Sequence, residues 1–225
     1  MTTESASDRT SPVVNSDGLH MRPRSYDQRI WVESRQYLAM APRPSDVLLD
    51  VGANIGTVTH RFLTAGISRV IAFEPEAQNH RLLLLNTGRF GDRAVLRPEA
   101  IAATAGPRRL WTHNGRNHGL HSLVAHPRRR CMVVPAVPLA EVLDEYRPTL
   151  LKIDIEGGEY ELLPDLRQLP SQVRAVAIEL HLWQDGWRRE HGPDLVAAIR
   201  AQGFRDVRPP HIGPGNPCSL AIWAR

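Results

Sequence analysis

Short apolar runs alternate with longer segments of helical periodicity along most of this chain. The runs are brief and end at a glycine or a charged residue, which is typical of buried strands. They occupy residues 46–51, 69–73, 95–96, 150–153, 173–180, 204–208 and 219–223. The helical patterns between them cover residues 56–65, 75–87, 139–146, 159–169 and 187–202. Strands that alternate with helices predict an α/β fold, a doubly wound and mostly parallel sheet with helices on both faces.

One segment, residues 105–137, interrupts this alternation. It carries strand-like pieces at residues 109–112 and 132–137 around a polar loop at residues 114–126. We therefore predict a small β insertion. In sheets of this class ligands bind beyond the carboxyl ends of the strands, so an insertion over that edge would cover a pocket.

The polar stretch at the beginning of the chain predicts a flexible tail over residues 1–25. The remaining residues, 26–225, are enough for one domain with a substantial core and too few for two. There is neither an apolar run of membrane-spanning length nor a signal-peptide pattern, so we expect a soluble, cytoplasmic protein.

The net charge of +4 changes this picture little. The basic residues are spread along the chain apart from Arg128, Arg129 and Arg130, and Lys152 is its one lysine, so a nucleic-acid partner is not favoured. Its two cysteines, at positions 131 and 218, have neither the spacing nor the number of a disulfide framework or a zinc site.

A glycine-rich turn, residues 50–56 (Asp-Val-Gly-Ala-Asn-Ile-Gly), follows the first long strand. It lacks the second and third glycines of a dinucleotide fingerprint, because Asn54 and Thr57 stand there, and it lacks the lysine of a P-loop. We expect Asp50 to attract an ammonium group and the turn amides to meet a carboxylate at the helix N-terminus. A turn without any ligand is the alternative.

A second carboxylate, Glu74, ends the next strand and precedes Pro75, 22 residues after Gly52. In this register it is placed to accept hydrogen bonds from two ribose hydroxyls. The third strand leads into residues 99–102, where Ala100 would meet an adenine ring, although simple packing explains Ala100 equally well.

Residues 152–159 (Lys-Ile-Asp-Ile-Glu-Gly-Gly-Glu) bring three carboxylates to the end of another strand. Asp154 is expected beside the reacting centre, whereas Glu159 fits an ordinary helix N-terminus equally well. Glu179 and His181 lie on one side of the following strand, and His181 or Asp154 is our candidate general base. Alternatively, Asp154, Glu179 and His181 hold a magnesium or manganese ion.

The three blocks LLDVGANIGTVT, RVIAFEPEAQNHRLLLLN and LLKIDIEGGEYELL resemble the FkbM family of methyltransferases in order and spacing, as does the region of Gly119, Ser122 and Leu123. The resemblance covers about residues 46–182. It implies a Rossmann-like fold, S-adenosylmethionine as cofactor, and usually O-methylation of a sugar or polyketide hydroxyl in specialised metabolism. Some relatives methylate nitrogen, including amide side chains of modified peptides.

The resemblance also implies roles for individual residues. It makes Asp154 and Glu159 motif carboxylates near the acceptor, whereas the role of His181 is our inference from its place on the strand. The predicted cofactor set comprises Asp50, Gly52, Ala53, Asn54, Gly56, Glu74, Pro75, Ala100 and Asp154.

Four functions compete. The first is methylation of a hydroxyl on a small-molecule acceptor, and the second is N-methylation of an amine or a peptide side chain. Methylation of nucleic acid is disfavoured, since the Pro-Pro-aromatic pattern of enzymes that act on base amines is missing after the fourth strand. A scaffold protein without turnover is the fourth.

The sequence leaves the oligomeric state open, with a homodimer as one option. It also leaves the acceptor open, because the acceptor depends on segments whose shape cannot be read from the sequence. These segments are the insertion, residues 26–40 and residues 183–189, where Trp183 and Trp187 either line an aromatic wall or pack in the core. The histidine-rich residues 114–121 either tune acceptor choice or form a solvated loop.

Overall fold

The computed structural model describes residues 11–113, 115–182, 186–213 and 217–225, without the side chains of residues 186–189. In chain order its strands are β1 (Val13–Val14), β2 (His20–Met21), β3 (Val47–Val51), β4 (Arg69–Phe73), β5 (Ala94–Arg97), β6 (Ala100–Ala102), β7 (Gly106–Thr112), β8 (Arg130–Pro138), β9 (Leu150–Ile153), β10 (Ala175–His181), β11 (Arg205–Arg208) and β12 (Cys218–Ala224). Its α-helices are α1 (Asp27–Glu33), α2 (Thr57–Thr64), α3 (Ala77–Thr87), α4 (Leu139–Tyr146), α5 (Leu163–Leu166) and α6 (Gly186–Arg200).

The main sheet has seven strands in the order β11-β12-β10-β9-β3-β4-β5. The five strands from β10 to β5 are parallel, and β12 and β11 complete the sheet as antiparallel neighbours. This confirms the predicted α/β fold. The chain order reverses between β3 and β9, so the crevice beyond the ends of these two strands is the topological switch point at which such sheets bind ligands.

Successive residues of the central strand point to opposite faces of the sheet and into two cores. Leu48 packs with Phe62 of α2 and Leu83 of α3 on one face. Leu49 packs on the other face with Leu139 of α4 and with the apolar side chains of α5 and α6. Because β3 is buried on both faces, it reads in the sequence as a continuous apolar run rather than an alternating one.

The predicted β insertion forms a separate three-stranded sheet in the order β6-β8-β7. β7 and β8 pair antiparallel, and an isolated bridge joins Trp111 of β7 to Ser122 in the polar loop. This bridge folds the loop back from the hairpin toward the ends of the main strands.

Two details differ from the sequence-based predictions. Within the segment predicted to be a flexible tail, β1 pairs with β2 and Leu19 is fully buried, because this short hairpin packs on Ile55 of the glycine turn and Leu82 of α3. Residues 1–10 lie outside the described part. The predicted helix 159–169 is a 3₁₀ turn followed by the single turn α5, since Pro164 cannot continue an uninterrupted helix. Within the described ranges, no helix has both the length and the apolarity needed to cross a bilayer.

Candidate active site

The glycine turn after β3 makes two close approaches that leave no room for a side chain. Gly52 has a φ of +79°, and a Cβ atom there would lie 1.9 Å from the carbonyl oxygen of Asp154. Gly56 has a φ of +84°, and its Cβ would lie 2.6 Å from Leu83. The turn is therefore pressed against the end of β9, and the two sequence motifs meet at one point.

The amides of residues 52–56 are all used within the protein. Their acceptors are the Phe73 carbonyl for Gly52 and Ala53, the Glu74 carboxylate for Asn54, the Asn54 side chain for Ile55 and the Ala53 carbonyl for Gly56. Contrary to the prediction, these amides have no N–H left for a ligand carboxylate. The reason is the tightness of the turn, which satisfies its own donors.

Asp50 also differs from its predicted role. Its side chain is fully buried, accepts a hydrogen bond of 2.6 Å from Thr59 and lies 3.2 Å from the Lys152 ammonium group. Lys152 in turn donates to the Gly52 carbonyl at 2.7 Å. Asp50 is thus neutralised by a buried cation and does not reach the cavity, so a direct contact with a ligand ammonium group is not supported.

Glu74 closes the same turn from β4 and reaches the cavity. One carboxylate oxygen accepts from the Asn54 amide at 2.8 Å and the other from the Glu76 amide at 2.9 Å. A carboxylate offers about four acceptor positions, so capacity remains for a ligand. Burial raises the pKa of Glu74 to about 7, against the opposing effect of the hydrogen bonds from Glu76 and Asn54.

A cluster of carboxylates surrounds His181 on the other side of the turn. The imidazole Nε2 lies 3.4 Å from Glu156 Oε2 and 3.9 Å from Asp154 Oδ1. Asp154 also lies 3.7 Å from the Lys152 ammonium group, and its side chain is 28% exposed, against 4% for His181. Asp154 is therefore the member of the cluster that a bound molecule reaches most directly.

Glu159 holds His181 from behind. The Glu159 carboxylate is fully buried, and one of its oxygens accepts from the His181 amide at 2.7 Å and lies 3.2 Å from the imidazole Nδ1. The other oxygen accepts from the Gly157 amide at 2.9 Å. The sequence left two interpretations of Glu159 open, a helix N-terminal carboxylate or a residue near the acceptor. In the structure, Glu159 orients His181.

Burial and charge shift the pKa values of this cluster. Burial disfavours the charged imidazole, but Glu159 and Glu156 outweigh it and raise the pKa of His181 well above its usual value. Burial raises the pKa of Glu156 to about 8, with His181 opposing and Asp154 adding to the rise. Burial and Asp154 likewise raise the pKa of Glu179.

The cluster also has the composition of a metal site. Asp154, Glu156 and His181 each offer a ligand atom, and the three atoms lie within 4.8 Å of one another. This differs in one member from the predicted set, because Glu156 stands where Glu179 was expected. Glu179 lies on the same side but faces Tyr37, whose hydroxyl is 3.5 Å away.

One cavity of about 530 Å³ is lined both by the glycine turn with Glu74 and by the carboxylate cluster around His181. This volume is typical of small-molecule sites. Of the predicted cofactor residues, Asp50 and Gly56 are missing from its lining. Those that line it are Gly52, Ala53, Asn54, Glu74, Pro75, Ala100 and Asp154. The predicted catalytic and metal residues His181 and Glu179 line it too.

The loop of the insertion roofs the cavity as predicted. Residues 117–123 contribute Gly119 and His121 to the lining, and the carbonyl of His118 accepts a hydrogen bond from Asn79. Ser122 reaches across to the other half, where its hydroxyl donates to the Glu156 carbonyl at 2.6 Å. Burial lowers the pKa of His121 to about 4, so this histidine is neutral.

Sequence reasoning missed several lining residues. Residues 26–40 were expected to shape the pocket, but the individual side chains of Arg29, Glu33 and Tyr37 carry no local motif. Cys218 lines the cavity beside Glu179, and burial raises the pKa of its thiol to about 12. The side chains of Trp183 and Trp187, proposed for an aromatic wall, lie outside the described residues.

The fold places the chain among methyltransferase-like structures. It superposes on an rRNA methylase from Streptococcus thermophilus with a TM-score of 0.51 at 14% identity, covering 86% of this chain and 94% of that one. A putative rRNA methylase from Clostridium thermocellum gives a TM-score of 0.52 at 12% identity, covering 86% and 93%. At these identities the likeness shows the fold alone.

A family profile described as "Methyltransferase FkbM domain" matches residues 50–205, most of the chain. The chain therefore belongs to the FkbM methyltransferase family, as the three sequence blocks predicted. Membership identifies it as containing an S-adenosylmethionine-dependent methyltransferase domain.

Two curated relatives are similar at 26% identity. The hexuronic acid methyltransferase AglP of Haloferax volcanii matches over 140 residues, which are 62% of this chain and 58% of AglP. The AMB antimetabolite synthetase AmbE of Pseudomonas aeruginosa matches over 232 residues, covering 83% of this chain and 11% of AmbE. The chain thus spans a little over half of one relative and a small part of the other.

Proposed function

We propose that this chain methylates a hydroxyl group on a small, sugar-like or other specialised-metabolite acceptor, with S-adenosylmethionine as methyl donor. The observation that carries the proposal is one cavity lined both by Glu74 and by the carboxylate cluster at Asp154. A hydroxyl acceptor must lose a proton as it is methylated, and this cluster supplies groups that receive it.

The residues of the first half fit the cofactor. Glu74 retains acceptor capacity for ribose hydroxyls, and Gly52, Ala53 and Asn54 offer a surface that no side chain at position 52 obstructs. Ala100 and Pro75 line the adjoining part of the cavity, where an adenine ring would pack. S-adenosylmethionine, when bound there, supplies an electrophilic methyl group.

The residues of the second half hold and deprotonate the acceptor. Asp154 reaches the cavity surface, so we assign its carboxylate the role of accepting the proton of the acceptor hydroxyl. His181 is almost fully buried and is held by Glu159. His181, predicted as a general base from its place on the strand, is better placed to orient Asp154 and Glu156. The roof at residues 117–123 limits access of water to the space between the halves.

Oxygen as the acceptor atom is favoured by the proton-accepting cluster and by similarity to AglP, a hexuronic acid methyltransferase. Methylation of nitrogen, in an amine or a peptide side chain, is the alternative. The two are separated by fragment mapping of the methylated product. They also differ in their pH–rate profiles, since an amine must first lose its own proton.

The test is a calorimetric titration with S-adenosylmethionine, S-adenosylhomocysteine and NAD, followed by turnover with hexuronic acids and neutral sugars. We expect dissociation constants for the first two of about micromolar, lost in Glu74→Ala and kept in Glu99→Ala, a second cavity-lining carboxylate that is paired with Arg97. Asp154→Asn should bind the cofactor and fail to turn over. Preference for NAD, or normal turnover by Asp154→Asn, would overturn the proposal.

A further inference from the structure

The cluster at the end of β9 and β10 crowds four carboxyl groups, those of Asp154, Glu156, Glu159 and Glu179, around the single imidazole of His181. The ammonium group of Lys152 is shared between Asp50 at 3.2 Å and Asp154 at 3.7 Å. Like charges held this close in a buried site are costly, and proteins commonly offset them with a bound cation.

The imidazole is oriented as metal-binding imidazoles are. Its Nδ1 faces the fully buried Glu159 carboxylate at 3.2 Å, and its Nε2 points toward Glu156 and Asp154. A histidine ligand almost always gives its second ring nitrogen to a carboxylate or a carbonyl, which fixes the ring and leaves the first nitrogen for the metal. Glu159 is itself fixed by the Gly157 and His181 amides.

The geometry points to a divalent-cation site with Asp154, Glu156 and His181 as ligands and Glu159 as the residue that orients His181. Two carboxylates and one imidazole suit a hard or borderline ion such as Mg²⁺ or Mn²⁺. The three ligand atoms lie within 4.8 Å of one another, so small side-chain rotations bring them to one centre. Asp154 opens this centre to the cavity, where an acceptor hydroxyl would complete the coordination.

This inference deepens the proposed function and rests on it for the role of the cation, which is to hold the acceptor oxygen and ease the loss of its proton to the cluster. The site itself is testable without any methyl transfer. The metal-stripped protein is titrated with Mn²⁺, and the free ion is followed by its electron paramagnetic resonance signal.

We expect one Mn²⁺ per chain, competed by excess Mg²⁺. Asp154→Asn and Glu156→Gln should weaken binding at least about tenfold, and Glu159→Gln about tenfold through the disturbed imidazole. Glu179→Gln and Glu33→Gln, which remove cavity-lining carboxylates outside the ligand set, should change it less than about twofold. Because Asp154 is partly exposed, its variant is the one expected to stay folded, as checked by circular dichroism.

Absence of saturable Mn²⁺ binding, or equal loss in the ligand variants and in Glu33→Gln, would overturn the site. Equal loss in Glu179→Gln and Asp154→Asn would restore the set predicted from the sequence instead. Mn²⁺ binding in a protein that does not bind S-adenosylmethionine would leave the site standing and remove the proposed function. If metal stripping affects neither cofactor binding nor turnover, only the proposed role of the cation in the reaction is rejected.

Discussion

Gly52 and Asp154 lie in such close contact that a methyl group at position 52 would sit 1.9 Å from the Asp154 carbonyl oxygen. This contact joins the proposed cofactor side of the cavity to the proposed acceptor side, because Gly52 belongs to the turn after β3 and Asp154 follows β9. The spacing between donor and acceptor in the proposed reaction is therefore set by backbone packing and not by flexible side chains.

Gly52→Ala should unfold or strongly destabilise the domain, and Gly66→Ala should not. Both glycines have positive φ, +79° and +90°, but no atom lies within 4 Å of a Cβ at position 66. Backbone strain alone costs about 1 kcal/mol, whereas a clash with a fixed carbonyl adds several more, for a total above about 3 kcal/mol. Urea denaturation measures both, and equal losses would show that the Gly52 contact is not rigid.

Cofactor affinity should rise with pH through about 7. Burial raises the pKa of Glu74 from 4.5 to about 7, and the ionised carboxylate is the form that accepts from ribose hydroxyls. From pH 8 to pH 6 the ionised fraction falls roughly tenfold, and affinity should fall with it. Calorimetry on Glu74→Gln should give weak binding without this pH dependence.

Ionisation of Glu74 should lower the stability of the cofactor-free protein, although it raises cofactor affinity. Between pH 4.5 and about 7 the folded chain keeps a proton on Glu74 that the unfolded chain has released. The free energy of unfolding of the cofactor-free protein therefore falls as pH rises through this window. Glu74→Gln should flatten this part of the curve, and an unchanged slope would contradict the raised pKa.

Ser122→Ala should slow turnover while leaving cofactor binding intact. The Ser122 hydroxyl donates to the carbonyl of Glu156, a non-glycine residue held at a φ of +55°. Without this bond Glu156 should relax from its strained conformation, and we expect kcat to fall about tenfold with the cofactor Kd within about threefold. Thr112→Ala removes another hydroxyl-to-carbonyl bond of the insertion and serves as the control. Equal kinetics of the two variants would contradict the positioning role.

The sequence was informative where a pattern is local and repeated. The apolar runs predicted β4 and β9 to the residue, because strands buried on both faces have few alternatives, and the helical periodicity predicted α4 to the residue. The glycine turn and Glu74 were predicted as neighbours because parallel strands end at one edge of the sheet.

What the sequence did not predict depends on contacts between distant segments. Asp50 was assigned to a ligand because its partner Lys152 lies 102 positions later, and only the pairing of β3 with β9 brings them together. The self-satisfied amides of the glycine turn could not be counted before the turn was built. Glu156 was not among the predicted ligands, since its place beside His181 depends on the loop that Ser122 holds.

The Asp50–Lys152 pair should be strongly coupled. Lys152→Met leaves the fully buried Asp50 without its cation and the Gly52 carbonyl without its donor, so we expect a loss of about 3–5 kcal/mol. Asp50→Asn should cost less, because an amide still pairs with Thr59. The double variant should recover part of the loss, with a coupling energy of about 1–3 kcal/mol.

The exposed pair Arg29–Glu33 provides the comparison for this cycle, since its side chains are 68% and 49% exposed. There Arg29→Met should leave the free energy of unfolding almost unchanged, with negligible coupling, because solvent screens an exposed pair. Chemical denaturation of all six variants gives both cycles at one pH. If the buried pair couples as weakly as the exposed one, Lys152 is held by the Gly52 carbonyl alone and Asp50 is not its electrostatic partner. Strong coupling shows instead that the charge at the base of the glycine turn is cancelled within the protein, which leaves the cavity carboxylates as the groups that act on ligands.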